Sequence, residues 1–453
     1  MPRSCDCRDD SVGVGHARPL PGAVSRRAAL RAGFIGAGAL AWAARPLRAV
    51  ARPAKAKAVI QIWMWGGPAH VDTLDPKPEA GYDYCGPFAK PIPTATDGLL
   101  INELLPLLAA QSGKYSVIRS MTHGVFAHET ASYMTQTGRK PGERLQYPCV
   151  GAVTSLLKGA ECKSLIPPYI VLTQPQGRFS ENGFLSERYR PFATGGDPAQ
   201  ARFAVEGIVA QGISDQRQKD RRELLHNLNT LERALQGNDA MRALDTAEQQ
   251  AYELVLGDAG KVFDLSQETG DVRDRYGRNT FGQSCLAARR LVEKGVPYVT
   301  INYEGWDTHR QNFQVMRQKL PQMDKGMAAL FEDLAQRGLL DSTIVWWSGE
   351  FGRTPKVQWE APWNGGRNHW GDVFCALLAG GGFKGGRVVG ASDAKGEQVK
   401  DRPVYPCDLI GSVYELLGFD PDGKLPNPQG LDARLTPTPA DGIKMAGRLK
   451  EIM

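Results

Sequence analysis

Short apolar runs recur along the chain between longer stretches whose apolar positions repeat every three or four residues. The runs at 59–65, 116–118, 169–172, 296–303, 342–347 and 373–378 predict buried β-strands. Helical stretches at 280–294, 312–337 and 406–417 fall between or after them. Strands alternating with helices predict an α/β fold, with a mostly parallel central sheet covered by helices on both faces. Ligands of such sheets sit beyond the carboxyl ends of the strands.

Residues 212–256 break the alternation. From Gln216 onward the segment is charged, rich in Leu, Ala, Glu and Arg, and almost free of Gly and Pro. It reads as a helical hairpin inserted between strands, with Leu224, Leu225, Leu228, Leu231 and Leu235 as its packing face. His226 among them is structural or solvent-facing. The glycine run from Gly380 to Gly386 lacks the spacing of a phosphate-binding loop and reads as turns.

The 453 residues carry a net charge of +6, but its location removes most of its meaning. Residues 1–51 hold eight Arg and three Asp, so +5 lies there and about +1 remains on everything that follows. No basic field is left to suggest nucleic acid. Ser25-Arg26-Arg27 precedes a weakly apolar Ala/Gly-rich stretch and a small-residue Ala49-Val50-Ala51 site, the pattern of a twin-arginine (Tat) export signal. The expected division is therefore a signal at 1–51 and one α/β domain at 52–453, exported by the Tat machinery to the periplasm or beyond. The apolar stretch is too short and Gly-rich to span a bilayer securely, although an uncleaved anchor is the alternative. Six cysteines follow the signal without CxxC spacing, which argues against a thiolate zinc site. An oxidising compartment would permit a disulfide, and Cys149 with Cys162 is the nearest pair in sequence.

Four segments at strand ends offer metal-ligand chemistry. The first strand runs into His70, Asp72 and Asp75; the strand at 296–303 into Asp307 and His309; the strand at 342–347 into Glu350 and Arg353; and His369 stands just before the strand at 373–378. Imidazole and carboxylate donors suit a divalent metal, with zinc foremost and manganese, calcium or iron as alternatives. Each has a structural reading too. Asp72 or Asp75 could cap a turn before Pro76, Asp307 could pair locally with His309, and Glu350 could pair with Arg353. The joint occurrence carries the metal reading, because His70, His123, His128, His309 and His369 all fall in strand-end or loop segments.

Five blocks in order, "IQIWMWGGPAHVDTLDPKP", "RSMTH" with "HETASYMTQTGR", "CLAARRLVEKGVPYVTINYEGWDTH", "TIVWWSGEFGRTP" and "RNHWGDVFCALLAGGGFKGGRVVGASD", closely resemble the exported domain-of-unknown-function 1501 proteins. That family is grouped with the alkaline-phosphatase and sulfatase superfamily. The resemblance implies a metal-assisted hydrolase of phosphate or sulfate esters, acting on a small-molecule or polysaccharide anionic ester. It places Glu350 at the superfamily aspartate and Phe351 at an adjacent histidine, so one ligand is lost, and His128 where a Ser, Thr or Cys nucleophile would sit. His70, Asp72, Asp307, His309, Glu350 and His369 are the expected metal ligands. Arg353 or Arg119 would bind the substrate anion, and His128 would attack directly or serve as a ligand. The competing expectation is an exported binding or scaffold protein that kept the fold and lost the chemistry.

Overall fold

The structure, a computed structural model, describes residues 53–162, 166–174, 181–200, 203, 205 and 260–453. The export signal and the insertion at 212–256 lie outside these residues. Among the described residues one eight-stranded sheet organises the chain. Its strands are β1 (Ala58–Trp63), β2 (Tyr115–Met121), β3 (Tyr169–Leu172), β4 (Phe192–Ala193), β5 (Tyr298–Asn302), β6 (Thr343–Ser348), β7 (Phe374–Ala379) and β8 (Arg387–Val389). They lie in the order β8-β2-β7-β6-β1-β5-β3-β4. Only the two pairings of β7, with β2 and with β6, are antiparallel.

The apolar runs form strands because both faces are covered. In β1, Ala58, Ile60 and Ile62 join one core and Val59 the other; in β6, Val345 and Trp347 divide from Ile344 and Trp346 in the same way. This alternation is the two-residue repeat of a pleated strand. On the first face pack α5 (Thr280–Glu293) and α6 (Asn312–Gln336), through side chains such as Leu286, Leu291, Met316 and Leu320. On the second pack α3 (Val150–Lys158) and α7 (Pro406–Leu416), through Val150, Val153, Leu409, Ile410 and Val413. Further helices are α1 (Pro106–Ala110), α2 (His128–Thr137) and α4 (Gly270–Tyr276), beside a single helical turn at Tyr82–Cys85. Asp324 in α6 satisfies the free amides that open α1, accepting from Leu107 N at 3.0 Å and Leu108 N at 2.7 Å.

A polar rung crosses the middle of the sheet. Thr300 Oγ1 donates to Gln61 Oε1 at 3.3 Å, and Gln61 Nε2 donates to Gln136 Oε1 of α2 at 3.3 Å. All three side chains are buried, so the rung fixes α2 against β1 and β5 by bonds that have no competing water. The same helix carries His128 at its first turn.

The cysteine pair does not join. Cys149 and Cys162 form no disulfide with one another: Cys149 donates to Tyr169 Oη and Cys162 to the Ile166 carbonyl, each at 3.6 Å. No helix among the described residues is long and apolar enough to cross a membrane.

Candidate metal centre

The antiparallel sense of β7 sets the geometry of the site. The parallel strands β1, β5 and β6 deliver Gly66, Asp307 and Glu350 just past their carboxyl ends, while β2 delivers His123 and His128. Because β7 runs the other way, the residues before it, His369 included, arrive at that same rim. His369 and Trp370 also pair as a short antiparallel ladder with Gly352 and Arg353.

Three histidines converge on Asp307. His128, Asp307 and His369 each offer a donor atom, all within 4.8 Å of one another. His128 Nε2 lies 3.5 Å from Asp307 Oδ2, and His369 Nε2 lies 3.3 Å from Oδ1. His309 adds a fourth donor, its Nε2 3.1 Å from Asp307 Oδ1 and 2.9 Å from His369 Nε2.

The outward nitrogens are all spoken for. His128 Nδ1 donates to Glu350 Oε1 at 2.6 Å, His309 Nδ1 to Asn368 Oδ1 at 2.9 Å, and His369 Nδ1 to the Phe126 carbonyl at 2.7 Å. In a neutral ring an acceptor on Nδ1 places the proton there and leaves the Nε2 lone pair aimed inward, the arrangement found around metal-binding imidazoles. Donors about 2.0–2.1 Å from a tetrahedral ion stand about 3.3 Å apart, so the donor separations here fit a divalent cation.

Charge in the cluster follows from these contacts. Burial lowers the pKa of His128, but its hydrogen bonds with Asp307 and Glu350 more than reverse this and push it up to about 9, so without a metal the ring is protonated on both nitrogens at neutral pH and a cation would have to displace the Nε2 proton. Burial raises that of Asp307, yet His128, His369 and Arg353 hold the carboxyl far below the usual carboxylate range. Burial lowers that of His309, against Asn368 and Asp307. The cluster also faces solvent, since the Asp307 side chain is 44 % exposed.

Glu350 and Arg353 do different work from that expected of them. Glu350 is fully buried, and its Oε1 meets the outward face of His128 and the Gly66 amide at 3.0 Å. It therefore orients the His128 ring and does not join the inward donors. Its Oε2 has no hydrogen-bond partner. Arg353 is likewise buried, with its guanidinium bound to the carbonyls of Gly66, Gly67 and Arg367 and to Asp307. With its donors turned to these groups it positions Asp307 and cannot reach a substrate anion.

Three further expectations are corrected by where the side chains lie. Asp72 is buried and spends its carboxylate on Arg367, at 2.7 and 2.8 Å, and on Asn312 Nδ2 at 2.7 Å. His70 is buried beside it, with Nε2 on the Gly396 carbonyl at 2.8 Å, and burial lowers its pKa to about 4. Arg119 donates to the carbonyls of Leu74 and Leu100 and lies 3.4 Å from Asp75 Oδ1. None of the three faces the Nε2 cluster.

Two glycines make the convergence sterically feasible. A side chain at Gly66, whose φ is +106°, would place Cβ 2.2 Å from the Asp307 amide nitrogen. One at Gly366 would lie 1.8 Å from the His309 carbonyl oxygen. Phe351, in the position where the resemblance places a histidine, packs its ring against His369 and His128 at centroid distances of 4.7 and 4.9 Å.

Asn368 and the Phe126 carbonyl were not legible as site groups. Asn368 adjoins a candidate ligand in sequence, but a backbone carbonyl carries no sequence signal at all. His123 is similar: Val125 N donates to its Nδ1 at 3.1 Å, so its Nε2 donates to the Glu350 carbonyl at 2.7 Å. Burial lowers its pKa to about 4, and it supports the Glu350 backbone as a neutral ring.

No curated protein matches the chain. Among solved structures it is similar to the lipoteichoic acid synthase LtaP from Listeria monocytogenes, at 8% identity and TM-score 0.37, covering 86% of this chain and 76% of that one. A protein in the alkaline phosphatase superfamily from Vibrio parahaemolyticus matches at 11% identity and TM-score 0.38, covering 82% and 69%. The PsFucS1 sulfatase from Pseudoalteromonas sp. matches at 13% identity and TM-score 0.35, covering 87% and 73%. Likeness at these scores carries no conclusion about chemistry. The sequence itself matches one family over residues 56–445, and the chain belongs to that family, described as Protein of unknown function (DUF1501).

Proposed function

We propose that this protein is an exported, metal-dependent hydrolase of phosphate or sulfate esters. The observation that carries the reading is the set of inward Nε2 atoms of His128, His309 and His369 around Asp307, each ring held from outside by an acceptor on Nδ1. Lone pairs facing each other at 2.9 Å repel unless a proton or a cation lies between them.

Asp307, His309, His369 and His128 would hold the ion, zinc foremost, with manganese, calcium or iron as alternatives. A bound divalent ion supplies Lewis acidity and lowers the pKa of a water toward neutrality. Around it Glu350 keeps His128 in its Nδ1–H tautomer, Asn368 and the Phe126 carbonyl do the same for His309 and His369, and Arg353 holds Asp307 in place. His128, at the first turn of α2 and half-buried on the rim, would either ligate the ion or, through Nε2, attack the ester centre. The twin-arginine pattern supports export to the periplasm or beyond.

A second reading has one feature in its favour. A histidine stands at the start of α2 where the resemblance places a hydroxyl or thiol nucleophile, as an exported binding protein without catalysis would allow. Elemental analysis of protein folded in its own host, with turnover of nitrophenyl phosphate and nitrophenyl sulfate, separates the two. Near-stoichiometric metal and hydrolysis abolished by His309→Ala support the hydrolase. Metal-free protein that leaves both esters intact ends it.

A further inference from the structure

A cavity of about 610 Å³ opens on the same rim, behind the loop that carries His123. Lys140, Lys400 and Lys444 line it, all three exposed and none in an ion pair with another described residue. The opposing charge is Asp372, whose Oδ2 accepts from Gln398 Nε2 at 3.2 Å. His123, also in the wall, is neutral, since one ring nitrogen accepts from Val125 N and the other donates to the Glu350 carbonyl. The cavity therefore carries a net charge of about +2. Tyr405, Pro406 and Cys407, at the N-terminus of α7, complete its wall. Asp408, the acid of that first turn, is turned away onto the backbone amides of Tyr405, Ala446 and Gly447.

The distance to the metal cluster follows from α2. His128 begins the helix at the cluster, whereas Met134 and Gly138 of the same helix line the cavity, roughly 9–15 Å further along at 1.5 Å per residue. We propose that the cavity is a second anion site, taking a sulfate, phosphate or carboxylate group of a linear polyanionic substrate whose ester lies at the cluster. This rests on the hydrolase reading for the identity of the substrate, but the anion site itself needs only the lysines and the cavity. Two acidic groups tethered on one chain bind more tightly than either alone, because the second meets its site at high effective concentration.

The test is binding of fluorescently labelled heparin-derived tetrasaccharide and hexasaccharide. The proteins compared are the wild type, a Lys140→Ala, Lys400→Ala, Lys444→Ala triple variant, and the corresponding Lys→Arg triple. The alanine triple should bind the hexasaccharide about tenfold more weakly, and the arginine triple should restore most of the loss. Metal content should match the wild type in both. Equal hexasaccharide binding by wild type and alanine triple overturns the proposal. So does inorganic sulfate that competes as well as the hexasaccharide at equal concentration, which would mark a site for a free anion. Lysine-dependent binding by a protein that carries no metal and turns over no ester would uphold the second anion site while removing the hydrolase reading.

Discussion

His309 Nε2 and His369 Nε2 face one another at 2.9 Å across a gap bordered by Asp307 Oδ1, while each ring donates its Nδ1 proton outward. As neutral rings neither can donate to the other without giving up its outer acceptor; only a second proton on one ring, or a cation, lets both outer bonds stand. A cation in the gap would remove the repulsion, so metal binding should be measurable as folding stability. Chelated protein should gain Tm on addition of zinc, by about 2.7 kcal/mol of stability at a hundredfold excess over Kd. The His369→Ala variant should show little of that gain. Thermal melts with and without metal check this, and an unchanged Tm in the wild type would count against a site.

Glu350→Gln keeps the shape of the side chain but replaces the charged acceptor behind His128. Loss of such an outer partner weakens metal affinity by roughly 10- to 100-fold. Competition with a chromogenic chelator should show that drop, with the fold intact by circular dichroism. A variant that holds metal as tightly as the wild type would mean that His128 is not a ligand.

Gly66 is where the β1 loop meets Asp307, its amide donates to Glu350, and its carbonyl accepts from Arg353. Gly66→Ala puts a Cβ into the Asp307 backbone and a side chain at φ +106°, a conformation that costs about 1–3 kcal/mol before any clash. Stability by urea denaturation should fall by at least that amount, and metal occupancy should fall with it. Substitution of the exposed Gly295, whose Cβ would meet nothing, should cost only the backbone term.

His70 provides a pH dependence separate from the metal. Its folded pKa, lowered by burial to about 4, lies below the value near 6.5 of an unfolded chain. The unfolded state therefore binds the extra proton over that interval. This contribution is full above about pH 6.5 and is lost as pH falls toward 4, by at most roughly 3 kcal/mol. Urea midpoints measured between pH 7 and 4 should fall less steeply in His70→Gln than in the wild type. Parallel slopes would place the titrating group elsewhere.

Much of the fold was legible because strand and helix leave different repeats. The helices expected at 280–294, 312–337 and 406–417 are found at Thr280–Glu293, Asn312–Gln336 and Pro406–Leu416, and the strand expected at 342–347 at Thr343–Ser348. α2 and α3 went unread, since α2 mixes Thr, Ser, Gln and Tyr among few apolar residues and has no side-chain cap. The two-residue edge strand β4 and the half-exposed β8 are too short or too polar to leave a run.

By itself the sequence determined the apolar runs, and with them the central strands, and it placed His128, Asp307, His309 and His369 at or near their ends. It could not fix which way β7 runs. That direction is decided by pairing partners distant in sequence, β2 and β6, and a parallel β7 would have sent His369 to the opposite rim. Nor could it separate Glu350, His70 and Asp72 from the residues that face the cluster, or show that Arg353 is closed off from a substrate anion, because residue type does not say which way a side chain faces. Only the packed structure turned Glu350 to the back of His128, closed Arg353 around Gly66 and Asp307, and paired Asp72 with Arg367. Burial supplies the physical reason: once water is excluded, each charge must find a partner inside the protein, and those partners come from other elements of the chain.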